Sequence, residues 1–251
     1  MITVYDVDSF MSGWASKELS EPWDNDGVML CADMKSEVKK ILVCLEINEK
    51  TVNEAIDEKA DLIITHHPFI FHPLKNITGA ECNVIGKLFS ANISVLSYHT
   101  RLDAAVGGVN DVLAKALGLS HIEGFASLGR VGILDREMDE KEFALYVKQK
   151  LACSTVKTSK PVGKKIKRVA VVGGAGKDFL PQALGIADAY VTGDLSHNAF
   201  ITANEIGIFA VDAGHYHTEN PVTHEIAEKL KDEFSEAEIV VSDSLCPFCE
   251  F

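Results

Sequence analysis

The sequence predicts an α/β protein built from two related α/β units with mostly parallel sheets facing each other. Apolar segments of strand length alternate with amphipathic helical segments, and one strand-helix-strand stretch recurs later in the chain. The chain has 251 residues, 47% of them hydrophobic. A chain of this size and composition can bury a large core in one or two domains.

The first unit is predicted to begin with an amphipathic helix within residues 4–23, followed by a Pro-Trp-Asp-Asn turn. The segment ILVCLEINEKTVNEAIDEKADLIITHH, which starts at Ile41, predicts a strand, a helix and a second strand. A further strand starts at Ile93. The next helix has an apolar face formed by Val109, Val112, Leu113 and Leu117.

The second unit repeats this order. The segment RVAVVGGAGKDFLPQALGIADAYVTGD, which starts at Arg168, aligns without a gap with the segment that starts at Ile41. Both segments contain Ala-Asp before their second strand and Thr at its end, which we interpret as a duplication. The alternative is the generic similarity of all strand-helix-strand units. In this alignment His66 and His67 correspond to Gly193 and Asp194.

These patterns predict a first unit over residues 1–120, a connector over residues 121–167 and a second unit over residues 168–251. The C-terminal segment could pack either within the second unit or on the first. One helix is expected in the connector, with Asp139 as its N-cap.

Histidines and carboxylates follow three of the predicted strands. His66 and His67 end one strand, His99 and Asp103 follow the next, and His215 and Glu219 follow a strand of the second unit. Open α/β sheets bind ligands at the carboxyl ends of their strands, so we expect a metal site there. Its ligands would be His66, His67, Asp103, His215 and Glu219.

The ligand types indicate which metals and how many. Asp103 and Glu219 could bridge a pair of ions, whereas imidazoles bind terminally. Mixed nitrogen and oxygen ligands favour two divalent transition-metal ions, namely Zn, Fe, Mn or Co, over Ca or Mg. Paired ions of this kind activate water for hydrolysis and attract an anionic small-molecule substrate.

The charge and the hydropathy pattern limit the other function classes. The formal charge of -13 makes nucleic-acid binding unlikely, although a basic patch between Lys157 and Arg168 leaves it as an alternative. No stretch is long and apolar enough for a membrane span, so a cytoplasmic location is expected. The scattered cysteines predict reduced thiols, and Cys246 and Cys249 form a lone CxxC without a second pair to complete a zinc site.

The chain resembles the Nif-three-like family of dinuclear-metal hexameric proteins, often labelled GTP cyclohydrolase 1 type 2 homologues. The resemblance covers nearly the whole chain. Its motifs are EPWDNDGVML from Glu21, ADLIITHHPFIFHPLKNIT from Ala60, SYHTRLDAAVGGVNDVLAKALGL from Ser97, YVTGDLSH from Tyr190 and VDAGHYHTEN from Val211.

The resemblance implies the same metal ligands, a two-lobed fold in its compact form, and a ring-shaped homohexamer. It also implies that His99 lies beside the ligands as a supporting residue or proton carrier. Asp194 and His197 are expected to orient substrate or move a proton. The alternative for Asp194 is a helix cap.

We therefore predict a metal-dependent hydrolase that uses metal-activated water on a phosphate-containing or nucleotide-like molecule. The alternative is a metal-binding scaffold or regulator without catalysis. The chain lacks a nucleotide-binding motif, because GGAGKD from Gly173 has neither the spacing nor the terminal Ser or Thr of a P-loop.

Overall fold

A computed structural model describes residues 1–243, 246 and 247. The chain divides into two compact units. Unit 1 contains residues 1–105 and 223–243, and unit 2 contains residues 106–222 with residues 246 and 247. Among the helices described, none combines the length and the apolar character needed to cross a bilayer.

The strands are short, and most are buried where they lie inside a sheet. Their bounds are β1 Gly27–Leu30, β2 Lys40–Cys44, β3 Leu62–Thr65, β4 Ser94–Ser97, β5 Ser120–Phe125, β6 Gly129–Met138, β7 Lys157–Thr158, β8 Ile166–Val171, β9 Ala189–Thr192, β10 Phe209–Asp212 and β11 Glu238–Val241.

The first helix precedes β1, and the other helices lie between strands along the chain. Their bounds are α1 Val4–Trp14, α2 Glu49–Asp57, α3 Gly79–Ser90, α4 Thr100–Ala104, α5 Val109–Ala116, α6 Glu140–Lys150, α7 His197–Ile206, α8 His215–Glu219 and α9 Pro221–Glu233, with 3₁₀ turns at Lys17–Leu19 and Gly176–Ala183.

Unit 1 is built on a sheet with the strand order β1-β4-β3-β2-β11. Strands β4, β3, β2 and β11 are parallel, and β1 is added antiparallel to β4. Every residue of β3 and β4 is buried. Parallel strands covered on both faces have such continuous burial, because helices pack on both sides of the sheet.

Unit 2 is built on a mixed sheet with the strand order β5-β6-β8-β9-β10-β7. Its centre, β8-β9-β10, is parallel. The pairs β5 with β6, β6 with β8, and β7 with β10 are antiparallel. Apolar clusters cover the sheet on both faces, one with Phe143 and Val147 of α6 and the other with Leu180 and Ala203.

The predicted fold class, two α/β units, is confirmed, but the sheet of unit 2 has more antiparallel than parallel strand pairs, and the predicted boundaries need correction. Residues 121–167 are not a connector, because they supply β6, α6 and β7 and most of β5 to the sheet of unit 2. Residues 106–120 also belong to unit 2, and residues 223–243 return to unit 1, where β11 pairs with β2. The repeated strand-helix-strand pattern did not reveal that these residues belong to the sheet, because β5 and β6 lie outside the repeated segment and pair antiparallel.

Local features of the prediction agree in part with the structure. Asp139 is the N-cap of α6, with its side chain accepting a hydrogen bond from the backbone N–H of Glu142 at 2.8 Å, as predicted. The first helix ends at Trp14, earlier than expected. None of the described cysteines is part of a disulfide bond, whereas Cys249 of the CxxC lies outside the described residues.

The repeated Ala-Asp dipeptide has the same structural role in both units. Asp61 accepts hydrogen bonds from the backbone N–H groups of Lys39 and Lys40 at 2.7 and 3.0 Å. In unit 2, Asp188 accepts from the N–H groups of Lys167 and Arg168 at 3.0 and 2.8 Å. Each carboxylate therefore fixes the start of the neighbouring parallel strand.

The same contacts correct the gapless alignment of the two segments. Ile41 pairs with Leu62 in unit 1, whereas Val169 pairs with Ala189 in unit 2. With Leu62 matched to Ala189, the structural counterpart of Ile41 is Val169 instead of Arg168. The second segment is thus one residue shorter between its two strands.

We expect Asp61→Ala and Asp188→Ala each to lower the free energy of unfolding by about 1–3 kcal/mol, because two backbone donors lose a charged acceptor. Urea unfolding at pH 7 measures this change. The matched control is Asp57→Ala, an exposed carboxylate on α2, which should change stability by less than about 0.5 kcal/mol. Equal effects of all three variants would contradict the assigned role.

Candidate metal-binding residues

In unit 1 the candidate residues follow neighbouring parallel strands. His66 and His67 come directly after β3, and His99 and Asp103 follow β4, with Asp103 on α4. Because β3 and β4 are parallel, their carboxyl ends lie at the same edge of the sheet. The sequence thus delivers these side chains to one place.

The ring of His66 is fully buried and has a defined orientation. Its Nδ1 lies 2.9 Å from the backbone carbonyl oxygen of Tyr98. A carbonyl oxygen only accepts hydrogen bonds, so Nδ1–H is the donor and the neutral ring keeps its lone pair on Nε2. That Nε2 lies 3.7 Å from Oδ1 of Asp103.

The ring of His99 is held in the same way by Asp24, whose side chain is fully buried. His99 Nδ1 donates to Asp24 Oδ1 at 2.9 Å, while the backbone N–H and the hydroxyl of Thr100 donate to Asp24 Oδ2 at 3.0 and 2.6 Å. Burial by itself raises the pKa of Asp24, but the hydrogen bonds from His99 and Thr100 outweigh it and lower the pKa overall. Asp24 therefore stays ionised at neutral pH.

These histidines form a cluster of nitrogen donors within unit 1. One ring nitrogen from each of His66, His67 and His99 lies within 4.8 Å of the other two. The ring centroids are 5.2 to 5.9 Å apart. Nitrogen ligands of one transition-metal ion lie within this range of each other, so the cluster could hold an ion.

The buried carboxylate of Asp26 and the buried guanidinium of Arg101 anchor the loops that carry this cluster. Asp26 contacts Nζ of Lys17 and, at 3.3 Å, Nε of Arg101. The guanidinium of Arg101 lies over the ring of Tyr98, 4.4 Å from its centroid. Tyr98 is the residue whose carbonyl oxygen orients His66. The loop before β1 and the loop after β4 are thereby tied together.

In unit 2 the candidate residues follow the parallel strands β9 and β10. His215 Nδ1 donates to Asp194 Oδ2 at 2.7 Å, and its Nε2 lies 2.8 Å from Oε2 of Glu219. The Asp194 carboxylate accepts from Nδ1, so in the neutral ring the proton lies on Nδ1 and the lone pair on Nε2. This lone pair faces a lone pair on the Glu219 oxygen. Two such atoms at this distance are bridged by a proton, on either the imidazole or the carboxyl group, or by a metal ion bound to both. The donor set therefore fits a metal ion.

The absence of a side chain at Gly174 and Gly193 leaves the space that Glu219 and His215 occupy. A Cβ atom on Gly174 would lie within 2.0 Å of Glu219 Oε1, and Gly174 has φ of +62°. A Cβ on Gly193 would lie 2.6 Å from the backbone nitrogen of His215. Thr218 completes the arrangement, because its hydroxyl oxygen accepts from the N–H of Gly174 at 3.0 Å. Side chains larger than hydrogen at these glycines would displace the two candidate ligands.

Asp212, the last residue of β10, fixes two loops: the loop after β9, which carries Asp194, and the loop after β10, which leads to His215. It accepts from the backbone N–H groups of Leu195 and Gly214, each at 3.0 Å. Burial raises its pKa above the ordinary value, although these hydrogen bonds act in the opposite direction. Beside it lies a cavity of about 500 Å³ lined by Thr155, Lys157, Asp194, Leu195, Asp212, Ala213, Gly214 and His217.

The structure places most of the predicted site residues in these two groups. In unit 1 it brings His66, His67, His99 and Asp103 together, and in unit 2 it brings His215, Glu219 and Asp194 together.

The structure also bears on the expectations for Asp194 and His197. The cap of α7 is Ser196, which accepts from the N–H of Ala199, so the helix-cap alternative for Asp194 is wrong. His197 is exposed on the first turn of α7 and, within the described residues, belongs to none of the groups that could hold a metal ion.

Sequence reasoning missed the acceptors that orient His66 and His99, and the carboxylate that orders the loops beside His215. Asp24, Asp212 and the carbonyl oxygen of Tyr98 were not among the predicted site residues. The only signal for Asp24 was its position in the Pro-Trp-Asp-Asn turn, and for Asp212 its position as a charged residue at the end of an apolar strand.

A family model and the similar proteins of other organisms agree on one family. The sequence model described as Duf34/NIF3 (NGG1p interacting factor 3) matches residues 2–247. A relative from Clostridium perfringens, named GTP cyclohydrolase 1 type 2 homolog, is 32% identical and covers 94% of this chain and 95% of its own length. A Nostoc relative with the same name is 34% identical, with 91% of each chain covered.

Solved structures show the same fold. A Bacillus cereus protein related to NIF3 superimposes with a TM-score of 0.93 at 24% identity, covering 100% of this chain and 99% of that one. Reduced HcgD from Methanocaldococcus jannaschii superimposes with a TM-score of 0.85 at 29% identity, covering 97% and 98%.

Asp24→Ala is expected to lower the free energy of unfolding at pH 7 by about 2–4 kcal/mol, because His99 and Thr100 lose a charged acceptor. The pKa of Asp24 is lower in the folded protein than in the unfolded chain. Its stabilising contribution is therefore present above about pH 4 and is lost as the pH falls toward the folded-state pKa.

Urea unfolding of both proteins between about pH 3 and pH 7 tests this dependence. The stability difference between wild type and Asp24→Ala should shrink as the pH falls below about 4. Asp232→Ala, at an exposed position on α9, is the control and should show no such change. A difference that grows toward low pH would contradict the role given to Asp24.

Proposed function

Because the chain belongs to the Duf34/NIF3 family, we propose that it binds two divalent transition-metal ions, Zn, Fe, Mn or Co, and uses them as a hydrolase. The ligands would be His66, His67 and Asp103 from unit 1 with His215 and Glu219 from unit 2. The observation that carries the proposal is the trio of imidazole nitrogens of His66, His67 and His99, which lie within 4.8 Å of one another.

The donor types support transition metals over Ca²⁺ or Mg²⁺. Imidazole nitrogens and carboxylates together suit Zn, Fe, Mn or Co. Nδ1 of each of His66, His99 and His215 is engaged by an oxygen acceptor, which leaves Nε2 as the ligand atom. Such oriented histidines are the usual supporting arrangement of protein metal sites.

The chemistry we propose is hydrolysis of a small anionic molecule that contains phosphate or resembles a nucleotide. Bound divalent ions would supply activated water and an electrophilic centre for an anionic group. His99 has two possible roles in this scheme. Its Nε2 either binds an ion or accepts a proton from the attacking water, with the ring held in place by Asp24 in both cases. Asp194 acts on His215 by holding its Nδ1 proton.

A second function, a metal-binding scaffold without catalysis, is favoured by one observation. A yeast relative that is 27% identical over 96% of this chain and 93% of its own length is named NGG1-interacting factor 3. That name describes an interaction instead of a reaction. Assembly into a homohexamer fits both functions and stays a prediction, which sedimentation analysis can test.

Metal content provides the first test. We expect His66→Ala and His215→Ala each to weaken Zn²⁺ or Mn²⁺ binding by at least about 10-fold, since each removes a direct ligand. The measurement is elemental analysis of anaerobically purified protein, followed by titration of the chelated protein. His121→Ala and His224→Ala, both at exposed positions outside the candidate groups, are the matched controls.

The same assay separates the two roles of His99. Reduced metal affinity in His99→Ala would identify a ligand, whereas unchanged metal content with reduced turnover would identify a proton carrier. Unchanged metal binding in both His66→Ala and His215→Ala would overturn the proposed centre.

Turnover provides the second test and separates hydrolase from scaffold. Metal-loaded wild type is screened against GTP, bis(p-nitrophenyl) phosphate and dihydrouracil, which represent nucleotides, phosphoesters and cyclic amides. We expect turnover of at least one class and a loss of at least about 100-fold in Asp103→Ala. Equal activity in both proteins would indicate a contaminant, and absence of activity in both would favour the scaffold.

A further inference from the structure

We propose that Trp23 and Phe71 of unit 1 form a binding site for one flat aromatic ring beside His99. The inference rests on the proposed function, since the ring would belong to the small molecule that the histidine cluster acts on. It names a substrate feature, an aromatic ring, and the two residues that would recognise it.

The two side chains are large, apolar and unusually exposed. Trp23 is 61% exposed and Phe71 is 39% exposed. Their ring centroids are 6.0 Å apart and the ring planes are inclined at 57°. Aromatic rings in contact at this distance normally lie in a core or an interface, because each has a large apolar surface to bury. Here part of both rings stays open to solvent.

Both rings also contact His99. Its ring centroid lies 6.3 Å from that of Trp23 and 6.2 Å from that of Phe71, with interplanar angles of 74° and 82°. His99 also contacts the rings of His66 and His67, with centroids 5.3 and 5.9 Å away. A ring placed on Trp23 and Phe71 would therefore adjoin the proposed reaction site.

The surrounding loops hold the two rings in place. Asn25 donates from its side-chain amide to the backbone carbonyl of Ile70, which ties the turn of Trp23 to the loop of Phe71. Asp24 links the same turn to His99 and Thr100. A site ordered before binding loses less conformational entropy when a ligand arrives.

The exposed area matches one small ring better than a protein. Side chains of this size bury about 150–250 Å² each when fully covered, so the exposed parts of Trp23 and Phe71 offer on the order of 200 Å². Leu74 and Ile77, also exposed in the loop of Phe71, would at most about double that area. A standard protein interface buries about 800 Å² on each partner, a little over half of it apolar, and spreads over about 20–30 residues a side. One aromatic ring, by contrast, is held by stacking on one or two side chains.

Trp23 can report on its own occupancy. The chain contains 2 tryptophans, so Trp14→Phe leaves Trp23 as the sole indole. Its fluorescence is titrated with adenosine, with nicotinamide, and with ribose 5-phosphate as the probe without an aromatic ring. Each titration is run on the protein as purified and again after chelation. We expect saturable quenching by at least one aromatic probe and none by ribose 5-phosphate.

The variants test whether stacking is responsible. In the Trp14→Phe background, Phe71→Leu should weaken ring binding about 5- to 100-fold, whereas Phe71→Tyr should retain it. Tyr5→Leu, at an aromatic residue that is 61% exposed on α1, is the matched control and should leave binding unchanged. Metal content measured in parallel should be the same in all of these variants.

The outcomes separate this site from the proposed metal function. Quenching that persists after chelation and disappears in Phe71→Leu supports the ring site, even if no hydrolysis is found. Normal metal binding without quenching by either aromatic probe overturns the ring site alone. Equal quenching by ribose 5-phosphate also overturns it. So does a change of oligomeric state in Phe71→Leu in the absence of quenching, because the pair would then be a contact between copies of the chain.

Discussion

The proposed chemistry depends on one constraint, the hydrogen bond that holds Nδ1 of three candidate histidines. Nδ1 of His66, His99 and His215 faces the carbonyl of Tyr98, the carboxylate of Asp24 and the carboxylate of Asp194, respectively. These oxygens accept and do not donate, so the neutral rings carry their proton on Nδ1. The lone pair is thereby fixed on Nε2, which is the atom a metal ion or a transferable proton requires.

The two units reach this arrangement by different means. Unit 1 uses buried polar side chains: Asp24 orients His99, while Asp26 holds Arg101, which lies over the ring of Tyr98. Unit 2 uses an exposed carboxylate, that of Asp194, to orient His215, and adds close packing of the backbone. Gly174 and Gly193 leave no room for a Cβ beside Glu219 and His215, and their loops therefore lie directly against the candidate ligands. A buried carboxylate needs compensating donors, whereas a glycine loop needs only the absence of a side chain.

The short segment of residues 22–26, which contains the Pro-Trp-Asp-Asn turn and Asp26, contacts the His99 neighbourhood of unit 1 at several points. Three of its side chains act in different ways on the same neighbourhood. Trp23 contacts the ring of His99, Asp24 fixes its Nδ1 proton, and Asp26 anchors the loop through Arg101. Because β1 is antiparallel to β4, with Gly27 paired to Ser97, this turn lies at the edge where β4 ends. A single short segment therefore orients His99 and, as proposed, would also contribute to binding of a substrate ring.

The sequence by itself determined the carboxyl ends of β3, β4, β9 and β10, the α/β class and the family, because apolar runs and the residues that stop them are local. It also named His66, His67, His99 and Asp103, which the structure brings together in unit 1, and the pair of His215 and Glu219 in unit 2. Only the tertiary structure decided which oxygen orients each ring. Asp24 precedes His99 by 75 residues, and Asp194 precedes His215 by 21. Such partners depend on which strands become neighbours, and neither residue spacing nor hydrophobic periodicity records that choice. The same reason explains why residues 121–167 were mistaken for a connector, since their strands are defined by antiparallel pairing across the sheet.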